Sequence, residues 1–372
     1  MVESIYAGAG TAQQEPQLPD PVEPQFRKSS GYIPSAALKA AVDVAMILGQ
    51  PLLLTGEPGT GKTTLARAVA DELFNGRYLD MQVKSSTSRT DLLYRIDELA
   101  RFRDAQGGRT PKPTIEYVEF QPLGEAIIRA CGPDTVLRDR AGRALSGDEA
   151  VLAEVFGPTR PPGPPTAALL LRHAERWSKP ERWVVLIDEI DKAPRDAPND
   201  LLEEFERLSF AIPELSLRVT PPEDAPRPVV FITSNSEKSL PEAFLRRCAF
   251  HHIEFPDDTM LRRIIESRLG SLVFSDEDQL DELLALFADL RAALRKPPST
   301  SELLSSLRLL KANPAIVATK DLRQHAREIK SQLSALAKMP EDIEKAKAII
   351  DSWAVSGASS GAAPATTPAA AE

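Results

Sequence analysis

Short runs of apolar residues alternate with amphipathic stretches through the first two thirds of the chain. Continuous apolar runs occupy residues 52–54, 184–187 and 229–232. Such runs are typical of strands that are buried on both faces, as in a parallel sheet. Residues 78–83 alternate like a further strand, and residues 33–48 carry apolar side chains at helical spacing. Strands that alternate with helices predict an α/β domain, with a parallel sheet and helices on both of its faces.

The pattern changes after residue 255, where apolar side chains recur only at helical spacing. No strand pattern returns before the chain ends. The C-terminal third is therefore predicted to be an all-helical subdomain, with helices at residues 257–269, 276–294, 299–311, 322–338 and 340–353.

Composition divides the chain into four segments. Residues 1–27 are rich in Pro, Gln and Glu and predict a disordered leader, and residues 355–372 predict a disordered tail. Between them lie the α/β domain at residues 28–256 and the helical subdomain at residues 257–354. Residues 103–180 do not follow the alternation and contain a proline-rich cluster that neither a helix nor a central strand accommodates. We interpret them as an insertion into the α/β domain.

A glycine-rich turn follows the first apolar run and leads into a helical stretch. Its glycines allow backbone N–H groups to converge on one point, and a helix N-terminus adds partial positive charge there. The turn predicts a phosphate-binding loop for ATP, in which Lys62 reaches the β- and γ-phosphates and Thr63 ligates Mg²⁺. The predicted nucleotide-binding residues are Gly56, Glu57, Pro58, Gly59, Thr60, Gly61, Lys62, Thr63 and Thr64.

Polar residues end two of the predicted strands. Asp188 and Glu189 follow the run at residues 184–187. A strand end beside a phosphate loop is where Mg²⁺ must be held, so we predict that Asp188 holds the ion and that Glu189 polarises the attacking water as general base. Asn235 ends the strand at residues 229–232. It either orients the water or contacts the γ-phosphate, or it simply serves a strand-end turn, which asparagine favours.

Two arginines, Arg246 and Arg247, lie just after that strand. In a ring of subunits, such an arginine reaches the γ-phosphate of a neighbouring subunit and offsets the charge of the transition state. The alternative is a solvated basic helix end that the helix dipole favours.

Charge and composition narrow the class of protein. The chain has 372 residues, 42% of them hydrophobic, and a net charge of −9, which argues against a general nucleic-acid binder. No apolar run reaches the length of about 20 residues that spans a bilayer. The two cysteines lie far apart and indicate a reducing compartment without a disulfide framework. These features predict a cytoplasmic protein.

With these motifs in order, residues 30–340 resemble the AAA+ ATPases and, within them, the MoxR-type group. The resemblance rests on GEPGTGKT as Walker A, VVLIDEID as Walker B, FITSN as the sensor 1 strand and LPEAFLRRC as the arginine-finger segment. The helix after Walker B, at residues 196–204, and a hairpin that begins at residues 210–214 also look like that group.

The resemblance implies a ring, hexameric or nearly so, that hydrolyses ATP to ADP and phosphate with Mg²⁺ at subunit interfaces. It also implies a chaperone-like protein that matures or remodels partners, in relatives often a von Willebrand factor A domain protein. By position in the motifs, Lys62, Glu189 and Asn235 are the catalytic residues. Arg247 best matches the finger, with Arg246 in reserve. Tyr32 and Ile33 fall where the family builds its adenine pocket.

One segment departs from the family pattern. The sensor 2 arginine expected at the start of a lid helix is replaced by Ser301 or a neighbour, and Ser299 with Glu302 forms a capping-box pattern for that helix. Lys296 would replace the arginine only as a point charge. This departure motivates an alternative function, a slow-hydrolysing nucleotide-dependent switch in a signalling or defence assembly.

Overall fold

The computed structural model describes residues 28–106, 112–146, 148–171, 177–195, 197–235, 238–270, 277–317, 319 and 321–356. The predicted leader lies outside the described residues, as does the predicted tail from residue 357 onward. The chain forms two compact units. One unit comprises Pro34–Gly56 and Gly61–Glu254, and the other comprises Glu57–Thr60 with the described residues of Met1–Ile33 and Phe255–Glu372.

Five parallel strands form the main sheet of the first unit, as the apolar runs predict. They are β1 (Leu52–Gly56), β2 (Tyr78–Gln82), β3 (Val184–Asp188), β4 (Val229–Ser234) and β5 (Ala249–Ile253), in the spatial order β5-β1-β4-β3-β2. All residues of β1 and β4 are buried because both strands have neighbours on each side and helices on the faces. The edge strand β5 alternates between half-buried and exposed residues, which is why its sequence lacks an apolar run.

Alternate residues of the central strands face opposite layers. Leu53, Val185 and Ile232 belong to the large apolar cluster that contains the buried helix Pro122–Cys131, whereas Leu54 and Leu186 do not. That helix contacts β2 and β3, and the helix Lys62–Leu73 contacts β1 to β4. The sheet is thus flanked by helices, and the predicted α/β fold is confirmed.

This unit contains further helices, 3-10 turns and two minor sheets. Its other helices are Ala36–Leu48, Glu98–Gln106, Glu149–Phe156, Ala197–Asp200, Leu202–Arg207 and Glu242–Leu245. Single 3-10 turns lie at Thr90–Leu92, Thr114–Tyr117, Ala167–Leu169, Ile190–Lys192 and Pro213–Leu215. Two minor antiparallel sheets join Tyr94–Ile96 with Val118–Phe120, and Arg138–Asp139 with Leu217–Val219 and Phe210–Ile212.

The predicted insertion contributes to the core of the α/β unit. The helix Pro122–Cys131 lies within it and is almost wholly buried against the sheet. Phe156 and Ala167 are fully buried in the same apolar cluster. The segment also supplies Arg138–Asp139, which pairs with the hairpin strand Leu217–Val219. Removing it would therefore unfold the domain.

The second unit is helical from residue 255 onward, as the spacing predicts. Its α-helices are Asp258–Leu269, Glu277–Ala293, Thr300–Lys311, Pro314–Val317, Ala326–Ser331, Leu333–Leu336 and Pro340–Ser356, with a 3-10 turn at Leu322–His325. The continuous helix predicted at residues 322–338 is wrong, because the chain forms three short pieces there. The last helix extends to Ser356, so residues 355 and 356 of the predicted tail are helical.

The lid helix Thr300–Lys311 begins with the predicted capping box. The Ser299 hydroxyl accepts from the Glu302 N–H, and the Glu302 carboxylate accepts from the Ser299 N–H at 2.7 Å. No helix among the described residues is long and apolar enough to cross a membrane.

Candidate functional site

The glycine-rich turn connects β1 to the helix Lys62–Leu73 and is shaped by left-handed glycines. Gly56 and Gly61 have φ values of 142° and 88°. A Cβ on Gly56 would lie 2.5 Å from the carbonyl oxygen of Ile253, so the close approach of β5 excludes any side chain there. The Lys62 side chain is buried, and its Nζ donates to the Gly56 carbonyl oxygen at 2.7 Å. The Lys62 ammonium group thus folds back over the loop, where phosphate oxygens would replace the Gly56 carbonyl oxygen as its acceptor.

Thr63 faces the carboxylate at the end of β3. Its Oγ1 lies 3.3 Å from each carboxylate oxygen of Asp188. The buried hydroxyl of Thr233, in β4, donates to the same carboxylate and fixes its orientation. A hydroxyl and a carboxylate are the oxygen ligands that Mg²⁺ takes beside phosphates. The residues present therefore fit a magnesium ion, which Thr63 and Asp188 would hold.

Glu189 has an unusual backbone conformation. Its φ of 61° is in the left-handed region, which costs a non-glycine residue on the order of 1 kcal/mol or more. The Glu189 N–H donates to Thr233 Oγ1 at 2.9 Å, which helps to hold this conformation. Strain at a strand end directs the side chain away from the path that an extended strand would give it.

Three side chains hold the Glu189 carboxylate. Lys192 Nζ and Gln82 Nε2 both donate to its Oε2, at 2.5 and 2.8 Å, and Asn235 Nδ2 donates to its Oε1 at 3.3 Å. The Lys192 ammonium, with help from Gln82 and Asn235, holds the pKa of Glu189 below its usual value against the opposing effect of burial. The carboxylate is therefore ionised, as a group that accepts a proton from water must be.

The sequence motifs do not single out Gln82, Lys192 or Thr233 for this site. Gln82 ends β2, and Thr233 lies in β4. These two strands are the neighbours of β3 on either side. Because the carboxyl ends of parallel strands meet at one edge, the position of these residues at strand ends is the signal that could have identified them. Lys192 follows the Walker B run by one turn of 3-10 helix.

Asn235 contacts two acidic residues that follow the end of β3. Its side-chain amide contacts Glu189, and its N–H donates to Asp191 Oδ1 at 3.4 Å. The structure thus brings the Asn235 amide to the Glu189 carboxylate, and its role in hydrolysis stays a prediction.

The two arginines have different surroundings. Arg246 pairs with Glu242 at 3.4 Å, one turn earlier, and both side chains are largely exposed. Arg247 pairs through Nε with Glu206, which lies 41 residues earlier in the chain, and its Nη1 donates to the Ala243 carbonyl oxygen at 3.1 Å. Arg247 is therefore the more firmly placed of the two.

Tyr32 and Ile33 belong to the helical unit. The carbonyl oxygens of Ser30 and Gly31, just before them, accept from Arg268 at 2.6 Å and from Ser267 at 3.0 Å. Burial raises the pKa of the Tyr32 phenol well above its usual value. This segment is thus fixed to the end of the helix Asp258–Leu269.

The tip of the turn, Glu57–Thr60, groups with the same helical unit. There Arg291 Nη2 lies 2.9 Å from the Glu57 carboxylate, and the guanidinium lies 3.5 Å above the Phe255 ring. A Cβ on Gly59 would lie 2.6 Å from Ser301 Oγ and 2.8 Å from Ser299 Oγ, so these two serines leave no room for a side chain there. Arg291, in the last turn of the helix Glu277–Ala293, thus contacts Glu57, whereas Ser301 or a neighbour occupies the position expected for sensor 2.

The chain belongs to the AAA domain family, in its dynein-related subfamily, whose pattern it matches over residues 51–248. No curated protein matches the chain. Among solved structures, it is similar to a "putative ATPase" of Cytophaga hutchinsonii ATCC 33406, with 14% identity, a TM-score of 0.35, and coverage of 88% of this chain and 84% of that one. The family confirms the AAA+ class and its nucleotide-binding ATPase domain; the MoxR-type group stays a prediction.

Proposed function

We propose that this protein is an ATPase that hydrolyses ATP to ADP and phosphate with Mg²⁺ and acts as a ring-forming remodeller of partner proteins. The observation that carries the proposal is the placement of Thr63 at 3.3 Å from both Asp188 carboxylate oxygens, with the ionised Glu189 next in sequence. This arrangement brings a phosphate loop, an oxygen pair suited to a metal and a general base to one edge of the sheet.

Each of these residues has a separate task. The glycine turn and Lys62 bind the phosphates, and Glu189 takes a proton from the attacking water. Asn235 contacts the carboxylate of Glu189 and so lies where it can orient the same water. Mg²⁺, when bound, neutralises charge on the phosphate oxygens. Thr233 keeps the Asp188 carboxylate turned toward Thr63.

Arg247 lies near the amino ends of the parallel strands, whereas the candidate nucleotide site of the same chain lies at their carboxyl ends. It precedes β5, which begins at Ala249 opposite Leu52 at the start of β1, whereas the site lies at the carboxyl ends of β1, β3 and β4. A strand of five residues spans about 16 Å, more than an arginine side chain reaches. We therefore propose that Arg247 completes the site of a second copy of the chain, as a ring requires.

Glu189→Gln tests this function most simply. Glutamine keeps the size and hydrogen-bonding capacity of the side chain but is not a base at neutral pH. ATP turnover should fall at least about a hundredfold, the lower range for loss of a general base, while a fluorescent ATP analogue binds as before. A variant that keeps its turnover would contradict the proposed chemistry.

The remodelling role and a von Willebrand factor A domain partner rest on the MoxR resemblance alone. They are tested by capturing such a protein, supplied in purified form, on the immobilised chain with and without ATP. The surface of the insertion is our candidate for the contact, and Val151, which is half exposed there, is the residue to substitute first.

One observation favours the slow switch as a second function. Glu189 is already held by Lys192, Gln82 and Asn235, which stabilise its ionised form and so weaken it as a base. Under this alternative, ATP binds tightly and turnover stays near background even when a partner protein saturates the chain. A strong burst of turnover on adding a partner would exclude it.

A further inference from the structure

Glu206 is an acidic residue in a place that is unfavourable to it. It is the fifth of six residues in the helix Leu202–Arg207, so it lies beside the negative end of the helix dipole. The C-terminal carbonyl oxygens of a short helix lack partners within the helix. Here Arg227 Nη2 donates to the carbonyl oxygens of Phe205 and Glu206 at 3.0 and 3.1 Å. A second arginine, Arg247, donates a hydrogen bond from its Nε to the Glu206 carboxylate.

These groups line one surface cavity with Gly49 and Pro51. Gly49 is left-handed at the end of the helix Ala36–Leu48, and a Cβ there would lie 3.1 Å from Arg227 Nε. Four separate parts of the chain therefore converge on the Glu206–Arg247 pair. The fold therefore specifies the pairing of Glu206 with Arg247. The pairing of Glu242 with Arg246, in contrast, results from their spacing of four residues along the chain.

Stability does not account for the pair. The side chains of Arg247 and Glu206 are 42% and 54% exposed, and ion pairs of that exposure contribute about 0–1 kcal/mol. The hydrogen bonds of the guanidinium indicate its role better than its stability does. Arg247 Nε donates to the Glu206 carboxylate, and Nη1 donates to the Ala243 carbonyl oxygen. Among the described residues, Nη2 receives no hydrogen-bond partner. One terminal nitrogen is thus left to meet a further anion.

We infer that Glu206 is a positioning residue that holds the Arg247 guanidinium for the phosphate of a second copy's nucleotide. This inference rests on the proposed function. It also selects Arg247 over Arg246 as the arginine finger, because the partner of Arg246 is Glu242, which lies one turn earlier and is 86% exposed. A guanidinium held at two points loses less conformational freedom on meeting the phosphate than a free one, so the reaction gains from the prior placement.

Mixed subunits test the inference. Glu189→Gln subunits supply the arginine but no base, and Arg247→Ala subunits supply an intact site but no arginine. Their mixture should recover turnover that neither has alone. Adding Glu206→Ala to the Glu189→Gln subunits should lower that recovery roughly ten- to hundredfold, the cost of a misplaced group. Adding it to the Arg247→Ala subunits should leave the recovery unchanged, because Glu206 has no arginine to hold there.

Three controls separate positioning from damage to the fold. Glu206→Gln, which keeps an oxygen acceptor for Nε, should restore most of the recovery, and Glu242→Ala in the same subunits should not lower it. Binding of a fluorescent ATP analogue and association of the mixed subunits by sedimentation should match those of the parent chains. These two readouts do not depend on turnover.

The outcomes are distinguishable. If the unmodified mixture recovers turnover and Glu206→Ala has no effect in the arginine-supplying subunits, or an equal effect in both kinds of subunit, the inference is overturned and the proposed function stands. If the wild-type chain does not hydrolyse ATP, or the unmodified mixture recovers nothing, the proposed function itself fails and the inference falls with it.

Discussion

The side-chain amide of Gln82 donates a hydrogen bond of 2.8 Å to the carboxylate of Glu189, 107 residues later in the chain. The two residues lie at the ends of neighbouring parallel strands, β2 and β3. The oxygen that accepts this bond also accepts from Lys192. Hydrogen bonds to the ionised form stabilise it, so a carboxylate held in this way is a weaker base than a free one.

Gln82→Ala should therefore raise basal turnover, by roughly three- to tenfold, because losing a hydrogen bond of about 1 kcal/mol to the ionised form makes the Glu189 carboxylate more basic. The measurement is the steady-state ATPase rate at a fixed protein concentration. Asp80→Ala, on the same strand and also exposed, is the matched control and should leave the rate unchanged. A rate that falls in the Gln82 variant would mean that the amide aids the base.

Lys62→Ala should weaken ATP binding, by about tenfold or more, because the buried ammonium donates to a loop carbonyl that phosphate oxygens would replace. Titration with a fluorescent ATP analogue measures the loss. Lys39→Ala removes an exposed lysine from the helix Ala36–Leu48 and should bind as the parent does. Equal affinities for the two variants would show that the turn does not bind phosphate.

Thr63→Ala and Asp188→Asn should raise the concentration of Mg²⁺ needed for half-maximal turnover. Thr63→Ala removes the hydroxyl, and Asp188→Asn removes the negative charge of the carboxylate that the hydroxyl faces at 3.3 Å. Chelation with EDTA should stop turnover in the parent chain and leave nucleotide binding measurable. Turnover that persists in EDTA would contradict the assignment of these two residues.

Cys131 and Cys248 are the only two cysteines of the chain, and burial raises the pKa of each thiol to about 12. At pH 8 the folded chain should therefore react with iodoacetamide about a thousandfold more slowly than the chain unfolded in guanidinium, whose thiols have pKa values of about 8.5. Mass spectrometry of timed samples measures both rates. Labelling at the same rate in both states would contradict the burial.

The same thiols give stability a dependence on pH. Their contribution to the free energy of unfolding is fully present below about pH 8.5, where folded and unfolded thiols are both protonated. It is lost as the pH rises toward 12, because the unfolded thiols ionise first. Replacing Cys248 with Ser should reduce this alkaline loss in a urea titration series.

The sequence predicts those parts of the fold that local chemistry determines. The apolar runs of β1, β3 and β4 follow from burial on both faces, and the capping box of Ser299 follows from hydrogen bonds within one turn. The edge strand β5 is not predicted, because two of its five residues are exposed and the other three are only half-buried. The sequence places the helix Pro122–Cys131 in an insertion, since nothing in its own residues reveals that β2 and β3 cover it.

The candidate site divides in the same way. Lys62, Thr63, Asp188 and Glu189 lie in contiguous motifs, so the sequence reveals them. Gln82 and Glu206 act through pairings with residues 107 and 41 positions away, which only the folded chain brings together. Spacing along the sequence carries no information about such pairs.

The most direct test of the account is the ATP turnover per subunit, measured with Mg²⁺ over a wide range of protein concentration. We predict that turnover rises with concentration and saturates, because Arg247 of one copy completes the site of another, and that Arg247→Ala remains low at every concentration. Turnover that is independent of concentration, or an Arg247→Ala variant as active as the parent, would contradict the account.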